Sequence, residues 1–292
     1  MESNFLTTVF LPLALFIIML SMGMGLTLND FQRVFVEPRT VMLGLMAQLI
    51  LLPVVGFIVA AIFPLSSELA VGLIIMTACP GGPTSNMITY LVRGNVALSI
   101  TLTAISSIIT VFTIPLVVSL AMQNFMGEEA ALQIPFLQTT VKIAIITIIP
   151  VALGMMLNRY ISQFAFRVEK LAKWLSLFFL ALIIFGLLLK ERADLASYIY
   201  QVGWATLTLN VVTMALGYGI ATIARLKEDS VKAIAVEVGI QNGTLAIAIA
   251  SAPAFLNNST MAIPAGVYSL LMYFTSAAFV WLMRSGKTLK AN

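Results

Sequence analysis

Charged side chains are scarce in this sequence. Lys, Arg, Asp and Glu together make up 10% of its 292 residues, against 60% hydrophobic residues and a mean hydropathy of +1.03. About a quarter of the residues of a soluble domain are charged, so a chain this apolar cannot cover its surface with groups that water solvates. No hydrophilic stretch is long enough to fold by itself. The composition therefore predicts one membrane domain over residues 1–292, with lipid around it.

Histidine is absent and cysteine occurs once, at Cys79. The chain therefore lacks the side chain that usually titrates near neutral pH and is the commonest metal ligand. It also cannot form an intramolecular disulfide. Intramembrane proteolysis requires an aspartate pair, a Ser–His pair or a metal site, and no aspartate lies inside an apolar segment. These absences argue against an enzyme and give no reason to expect an organic cofactor.

Basic residues outnumber acidic ones, with a formal net charge of +4, but they lie in short loops between apolar segments. This placement indicates a role in membrane topology and argues against nucleic acid as a partner. If the N-terminus is outside, only Lys142, Lys190 and Arg192 fall on the outer side, which leaves 13 of the 16 Lys and Arg inside. The positive-inside rule then predicts an outer N-terminus and a cytoplasmic C-terminus.

Nine apolar segments are long enough to cross a membrane, since a spanning helix needs about 20 mostly apolar residues. The runs are continuous, without the alternation of barrel strands, so the predicted fold is an all-α polytopic membrane protein. Helices 1–4 and 6–9 would then have opposite topologies, an inverted repeat typical of secondary transporters. The predicted helices are Phe5–Leu28, Val41–Phe63, Leu69–Val92, Val96–Leu120, Thr139–Leu157, Leu171–Leu189, Tyr198–Ala224, Val231–Ala252 and Ala262–Met283.

The third predicted helix is interrupted by the stretch Cys79–Asn86, which reads Cys-Pro-Gly-Gly-Pro-Thr-Ser-Asn. Its two prolines remove backbone donors, and its two glycines have backbone freedom that a helix must restrict. Backbone groups freed in hydrocarbon persist only where protein, water or a ligand satisfies them. The stretch therefore predicts a break beside a cavity or an ion, with Ser85 and Asn86 at the start of the second half-helix. The alternative is a simple proline kink packed against its neighbours.

The eighth predicted helix contains Glu237, the only one of the twelve acidic residues that lies well inside a span. A charge at the bilayer centre costs about 2.5–3.5 kcal/mol on insertion scales. No Lys or Arg lies at comparable depth, so the partner of Glu237 is expected to be a proton or a bound cation. The alternative is that Glu237 faces water on the inner side, not far beyond Lys232.

Glycines flank the pair Gln241-Asn242 in the same helix, which predicts a second break. Backbone carbonyls exposed there would suit a hard cation, which prefers oxygen ligands. The two breaks fall in corresponding helices of the two halves, the third and the eighth, and such a pair points to a binding site near the membrane midplane. Other polar residues in the spans are Gln48 in the second helix, and Ser99 and Thr103 on one face of the fourth.

The blocks Cys79–Asn86, Arg93–Ser99 and Glu237–Asn242 resemble the bile acid:sodium symporter family in its bacterial branch. The stretch Met22–Leu28 is similar to the segment that leads into the first cytoplasmic loop of that family. The resemblance runs from about Leu20 to Met283. It implies a core domain within residues 41–120 and 198–283 and a panel domain within 5–28 and 139–189. It also implies that the two broken helices cross, that core and panel move to expose the crossing alternately, and that the protein lies in a bacterial inner membrane.

The same resemblance implies two sodium sites and a substrate contact. The residues of the first sodium site would be Ser85, Asn86, Ser99, Thr103 and Glu237. Those of the second would be Gln48, Glu237, Val238, Ile240 and Gln241, with Val238 and Ile240 acting through their backbone carbonyls. Thr84 and Asn242, beside the crossing, would face the substrate.

The function expected from these observations is sodium-coupled symport of an organic anion, either bile-acid-like or another carboxylate. Sodium, the anion and membrane lipid are the expected partners, and no segment indicates an obligate protein partner. A passive channel fits less well, because the sequence has one buried carboxylate and no ring of pore charges. A proton-coupled carrier and a sodium-independent facilitator stay as alternatives, although the many oxygen ligands near Glu237 favour a coordinated ion.

The orientation is tested by thiol labelling in a background without Cys79. A cysteine placed in the Gly127–Glu129 loop should react with an impermeant thiol reagent added outside, and one placed in the Gln163–Phe166 loop should not. The reverse labelling pattern would overturn the direction assigned to every span.

Overall fold

The structure is a computed structural model that describes residues 11–128, 136–161, 178, 182, 185 and 195–288. The regular structure of these residues is helical, without strands. A π-helical segment spans Ala47–Leu51, and a short 3₁₀ turn spans Thr260–Ala262. The helices are α1 (Leu11–Met24), α2 (Leu28–Val36), α3 (Pro38–Met46), α4 (Leu52–Ile62), α5 (Ser67–Ala78), α6 (Pro83–Leu91), α7 (Val96–Met126), α8 (Phe136–Tyr160), α9 (Leu195–Ile223), α10 (Glu228–Gly239), α11 (Gly243–Ser251) and α12 (Ile263–Thr288).

Several of these helical segments are long and apolar enough to cross a membrane, so the chain is a multi-pass membrane protein. Among the described residues there are six, and a seventh if α1 and α2, bent by 61°, count as one span. α5 is apolar but shorter than a span. The six are Pro38–Ile62, Val96–Met126, Leu137–Tyr160, Tyr200–Ile223, Glu228–Ser251 and Thr260–Ser285.

Some of the sequence predictions lie outside the described residues. They are Phe5–Phe10 of the first predicted helix, most of Leu171–Leu189, the Gln163–Phe166 loop, and the basic residues Lys190 and Arg192. The total of nine spans therefore stays a prediction.

The predicted end of the first helix, Leu28, is four residues too late. α1 ends at Met24, and the chain turns before α2 begins at Leu28. Thr27 caps α2, because its backbone N–H and its hydroxyl both donate to Asp30 Oδ2, at 2.7 and 2.8 Å. This reciprocal cap starts a new helix in a new direction.

The second predicted helix begins earlier than predicted and changes its winding at Gln48. Pro38 is the first residue of α3, a position where the missing N–H of proline costs nothing. In the π-helical segment the Leu52 N–H bonds to the Ala47 carbonyl, five residues back. Pro53 follows at once and has no N–H to donate, so the irregular winding coincides with a missing helical bond. Such π-segments are frequent at functional sites.

Both predicted interruptions are present, and they have the same proportions. Residues 79–82 separate the 12-residue α5 from the 9-residue α6, and residues 240–242 separate the 12-residue α10 from the 9-residue α11. Every residue in 69–82 and in 230–252 is buried. Both breaks, α11 and most of α5 and α10 therefore lie in the interior of the described residues, whereas α6 exposes Met87 and Tyr90.

The two breaks touch each other. The N–H of Asn242 donates to the carbonyl of Pro80 at 2.9 Å, which joins the second break to the first through the backbone. The side chain of Gln48, from the π-helical segment, donates to the carbonyl of Cys79 at 3.2 Å. The structure thus brings the third and eighth predicted helices together where each is interrupted.

α1 packs closely on α8 through two glycines. A Cβ on Gly154 would overlap the carbonyl oxygen of Leu20 and lie 2.7 Å from the Met24 nitrogen, and a Cβ on Gly23 would overlap the carbonyl oxygen of Val151. All of these atoms belong to backbone, which cannot turn aside as a side chain can. Small residues at such crossings allow the close approach on which packing of membrane helices depends.

Gly154→Ala should therefore destabilise the protein, by about 1–3 kcal/mol as for other overpacked contacts. Gly203→Ala is the matched control, since a Cβ there has no atom within 4 Å and replacing a helical glycine stabilises by about 0.4–1 kcal/mol. The measurement is the melting temperature of each purified variant in detergent. A Gly154 variant as stable as the Gly203 variant would show that the α1–α8 contact is looser than described.

Candidate functional site

Glu237 lies in the last turn of α10 with its side chain fully buried. This position excludes the alternative that it faces inner-side water. Lys232 is also buried, but it pairs with Glu228 one turn earlier on the same helix, at 2.6 Å. Among the described residues no Lys or Arg forms an ion pair with Glu237. The carboxylate is therefore held by neutral groups.

The residues of the first expected site meet around this carboxylate. Thr103 donates to Glu237 Oε1 at 2.5 Å, and Ser99 lies 3.0 Å from Oε2 and 2.9 Å from Asn86 Oδ1. The hydroxyl of Ser85 is 3.4 Å from that of Thr103. Asn95 caps α7 by accepting from the Leu98 N–H, which fixes the helix start just before Ser99. One helix face of α7, one turn of α6 and the end of α10 thus place five polar side chains together.

The residues of the second expected site meet on the other side of the α10 terminus. The side chains of Gln48 and Gln241 hydrogen-bond to each other, with Gln48 Nε2 2.6 Å from Gln241 Oε1 and Gln241 Nε2 3.4 Å from Gln48 Oε1. Gln241 Nε2 also donates to the carbonyls of Glu237 at 3.2 Å and Val238 at 2.8 Å. Ile240 follows, buried and in extended conformation. Glu237 joins this group through its carbonyl, since the bonds of its carboxylate go to the first group.

The glycine at position 81 is required by the carboxylate. A Cβ on Gly81 would overlap Glu237 Oε1, whereas a Cβ on Gly82 would have Asn242 Nδ2 as its nearest atom, at 3.8 Å. The first break therefore passes so close to the acid that only a hydrogen fits between them.

The two residues expected to face the substrate lie beside the crossing. The Asn242 side chain caps α11, its Oδ1 accepting from the Leu245 N–H at 3.0 Å, while its buried Nδ2 has no partner among the described residues. Thr84 is half-buried in the first turn of α6. A cavity of about 290 Å³ opens nearby, between α1 and the pair α6–α7, lined in part by Ser21, Pro83 and Asn86.

Three buried polar residues near the site were not singled out from the sequence. Thr89 donates to Ser99 at 3.3 Å, and its position one turn after Ser85 on the same face of α6 was a usable signal. Asn210, an amide deep in a predicted span, was another. Its Nδ2 donates to the carbonyl of Gly239. Tyr268 donates to the same carbonyl, and nothing local in the sequence marks it.

The donor set of this site consists of oxygen atoms: one carboxylate, several hydroxyls, amide oxygens and backbone carbonyls. Among the described residues no three His, Cys, Asp or Glu side chains gather. Oxygen ligands with a single negative charge suit a hard cation of low charge, and unwound carbonyls of this kind coordinate sodium in secondary transporters.

Comparison with known proteins agrees with this chemistry. The family model described as "Sodium Bile acid symporter family" matches residues 12–198. Two chloroplastic proteins of Oryza sativa subsp. japonica, both named probable sodium/metabolite cotransporters, are 32% and 30% identical over 90% and 94% of this chain, which spans 63% and 64% of their own length. The "Uncharacterized sodium-dependent transporter YocS" of Bacillus subtilis (strain 168) is 28% identical over 89% of this chain and 78% of its own. This chain therefore spans just under two thirds of the rice relatives. Since the family model covers more than half of it, the chain belongs to the sodium bile acid symporter family, a family of sodium-dependent membrane transporters.

Proposed function

We propose that the protein is a secondary active transporter that couples the inward movement of sodium to that of an organic anion by alternating access. The observation that carries this proposal is the Glu237 carboxylate, which is fully buried without a basic partner among the described residues. A charge at that depth is costly, and a cation in the same site offsets the cost. The surrounding oxygens supply the ligands that such a cation needs.

The first proposed sodium site lies between α6, α7 and α10. Its ligands are the oxygens of Ser85, Asn86, Ser99, Thr103 and Glu237. The hydroxyls of Ser99 and Thr103 donate to the carboxylate in this structure. A hydroxyl rotates freely to suit its partner, so both can turn their lone pairs towards an ion placed between them and the carboxylate.

The second proposed site, formed by Gln48, Glu237, Val238, Ile240 and Gln241, is arranged differently. The amide hydrogens of Gln241 point at two backbone carbonyls and at the side-chain oxygen of Gln48. These partly positive hydrogens lie among three oxygens, in the position that a bound cation would occupy. Sodium bound there would displace them, and the Gln241 amide would turn by about half a rotation to present its oxygen.

The anion is proposed to bind where the second half-helices begin. Helix N-termini attract anions because their dipoles are positive there. α6 and α11 both begin at the crossing, with Thr84 and the unpartnered Nδ2 of Asn242 beside them. A carboxylate is the substrate class that fits these donors, and the relatives' names refer to metabolites and, in mouse, to bile acid.

Two moving parts are proposed, a core that contains both broken helices and a panel that includes α1 and α8. The glycine contacts join α1 to α8 tightly. The 290 Å³ cavity separates α1 from α6 and α7, and at the other end of the molecule Lys142 of α8 donates to the carbonyl of Ala254 at 2.8 Å. A second cavity, of about 240 Å³, lies beside that contact and is lined in part by Gln138, Lys142 and Ala254, so cavities lie at both ends of the proposed boundary.

An inverted repeat is supported by matching contacts at the ends of the broken helices that lie farthest from the breaks. The Asn258 side chain, in the loop after α11, donates to Glu68 in the first turn of α5 at 2.8 Å. The Asn95 N–H, in the loop after α6, donates to the carbonyl of Asp229 in the first turn of α10 at 2.9 Å. Each second half-helix is thus tied to the start of the other broken helix.

The coupling is proposed to arise because both solutes need the same ordered crossing. Sodium neutralises Glu237 and orders the unwound segments, so the anion meets a prepared site in place of a bare carboxylate. With two sodium ions per monovalent anion, each cycle moves one net positive charge inward. A tenfold sodium gradient supplies about 1.4 kcal/mol for each ion, and a membrane potential of about 100 mV supplies roughly 2.3 kcal/mol for the net charge. The total of about 5 kcal/mol could concentrate the anion inside over outside by between three and four powers of ten.

Sodium binding is tested by thermal stability. Sodium should raise the melting temperature of the purified protein and potassium should not, because a ligand that binds only the folded state stabilises it by mass action. Glu237→Gln keeps the shape of the side chain but removes the charge, so it should abolish the shift. Ser99→Ala or Thr103→Ala should weaken it only in part, since each removes one ligand. A full sodium response in Glu237→Gln would contradict the assignment.

The adjacent glycines of the first break supply the matched control for this test. Gly81→Ala should reduce the sodium-dependent shift, because the added methyl group displaces the Glu237 carboxylate. Gly82→Ala should retain it, since its methyl group has room. Melting temperatures without sodium separate an effect on the site from an effect on folding. Equal loss of the sodium response in both variants would mean that the flexibility of the break matters and the place of the carboxylate does not.

Transport is tested in liposomes with a series of bile acids and short keto acids. Uptake of a transported carboxylate should depend on sodium with a Hill coefficient above one and should speed up when the interior is made negative. Uptake indifferent to the potential would indicate one sodium per monovalent anion, or a divalent substrate. Replacing sodium by potassium at several pH values identifies the alternatives: uptake driven by a proton gradient alone favours a proton-coupled carrier, and equal uptake without any ion gradient favours a facilitator.

A further inference from the structure

The carbonyl of Gly239, the last residue of α10, is not free although the helix ends there. In a continuous helix it would accept from the N–H of residue 243, but the Gly243 N–H bonds to the carbonyl of Gln241. Two side chains from other helices replace that bond. Asn210 Nδ2 of α9 lies 2.6 Å from the Gly239 oxygen, and the Tyr268 hydroxyl of α12 lies 2.9 Å from it.

These two donors form a small closed network that includes none of the proposed ion ligands. Asn210 Nδ2 is also 3.0 Å from the Tyr268 hydroxyl, and both residues are fully buried. The carbonyls of Glu237 and Val238 accept from Gln241 instead. Successive carbonyls at the end of α10 therefore face different partners: the Gly239 carbonyl faces α9 and α12, and the two before it face Gln241.

Gly239 and Ile240 share a peptide group that is held at both of its polar atoms: the Ile240 N–H donates to the carbonyl of Val236 at 2.9 Å, and the Gly239 oxygen accepts from Asn210 and Tyr268. A glycine does not hold its own backbone direction, so these bonds set the direction of Gly239. It also packs closely on α9, where an added Cβ would lie 2.8 Å from Met214 Cε. Peptide groups are planar and rigid, so holding this group fixes the position of the Ile240 Cα, from which the Ile240 carbonyl and the Gln241 residue extend. Both of these belong to the second proposed sodium site.

Satisfying the Gly239 carbonyl does not by itself require Asn210, since Tyr268 also donates to that carbonyl. The Oδ1 atom of Asn210 is buried without a partner among the described residues, and an unpaired acceptor in an apolar interior is unfavourable. An apolar side chain would avoid that cost. Asn210 has this unpaired oxygen, and its amide nitrogen donates its shortest hydrogen bond to the Gly239 carbonyl.

We infer that Asn210 and Tyr268 are positioning residues of the ion site, which hold the Gly239 carbonyl so that the segment 237–241 presents its ligands to sodium before the ion arrives. The inference rests on the proposed sodium-coupled function. A site arranged in advance binds more tightly, because ordering does not have to accompany binding. Residues that orient metal ligands in this way typically change affinity by about 10- to 100-fold when replaced.

The test is a sodium titration of the melting temperature for Asn210→Ala, Tyr268→Phe and the double variant. Asn210→Ala should raise the half-saturating sodium concentration by about tenfold. Tyr268→Phe should raise it less, since the shorter bond from Asn210 remains. The double variant should exceed the product of the two single effects, because only then does the carbonyl lose both donors.

Matched controls come from the same two helices. Thr206 lies one turn before Asn210 on α9, and Ser276 lies two turns after Tyr268 on α12. Both are fully buried, and their hydroxyls bond to carbonyls of their own helix. Thr206→Ala and Ser276→Ala should change the melting temperature without sodium but leave the half-saturating sodium concentration unchanged.

Three results would decide against the inference or its basis. Variants of the pair that lose stability without sodium while keeping the wild-type half-saturating concentration would show a purely structural role and overturn it. Control variants that shift that concentration equally would do the same. If Asn210→Ala does not fold, Tyr268→Phe, which removes a single oxygen, still decides. Absence of any sodium response in the wild-type protein would instead be a failure of the proposed function.

Discussion

Backbone groups set free inside a membrane must find partners, because no water is present to satisfy them. The centre of this protein is built around that constraint. The breaks in two helices release carbonyls and N–H groups where every neighbour is buried. The carbonyl of Pro80 accepts from the N–H of Asn242, that of Cys79 accepts from Gln48, and that of Gly239 accepts from two side chains. The crossing of the broken helices is a consequence of this mutual satisfaction.

Glu237 adds a second requirement to the same place. A carboxylate without a basic partner is expensive in an apolar interior. Here it receives hydrogen bonds from Ser99 and Thr103, and such bonds from neutral hydroxyls reduce the cost without removing the charge. A site in that condition has reason to take up a cation. The same argument gives the proposed coupling a physical basis, because the carboxylate would repel an anion until the cation is present.

The glycines of the chain act at specific contacts. Gly81 leaves room for the Glu237 carboxylate, and Gly154 and Gly23 let α1 and α8 approach backbone to backbone. The first kind of contact sets the geometry of the site. The second joins two helices backbone to backbone, as the proposed movement of a panel that contains both would require. Lys142 and the 290 Å³ cavity lie at opposite ends of the boundary between the proposed core and panel.

Sequence reasoning reached the features that depend on local chemistry. Prolines and glycines gathered within a few residues interrupt a helix, whereas the single Pro115 of α7 and Pro150 of α8 do not, so both breaks were predictable, at Cys79–Asn86 and around Gln241. A lone acid in an apolar run is visible without a fold, and so is the shared face of Ser99 and Thr103. The end of α1 was misplaced although its signal, the cap formed by Thr27 and Asp30, is written in the sequence. The prediction followed the apolar residues as far as Leu28 and so passed the turn before α2.

By itself, then, the sequence determined the membrane environment, the two interruptions, the buried acid and the family. Only the tertiary structure decided which freed carbonyl faces which partner. It showed that the Glu237 carboxylate bonds to one group while its carbonyl serves another, and that Asn210 and Tyr268 meet at Gly239. The physical reason is that hydrocarbon makes every freed group seek a partner, but the partners come from helices distant in sequence, and only packing brings them within the 3 Å or so that a hydrogen bond needs.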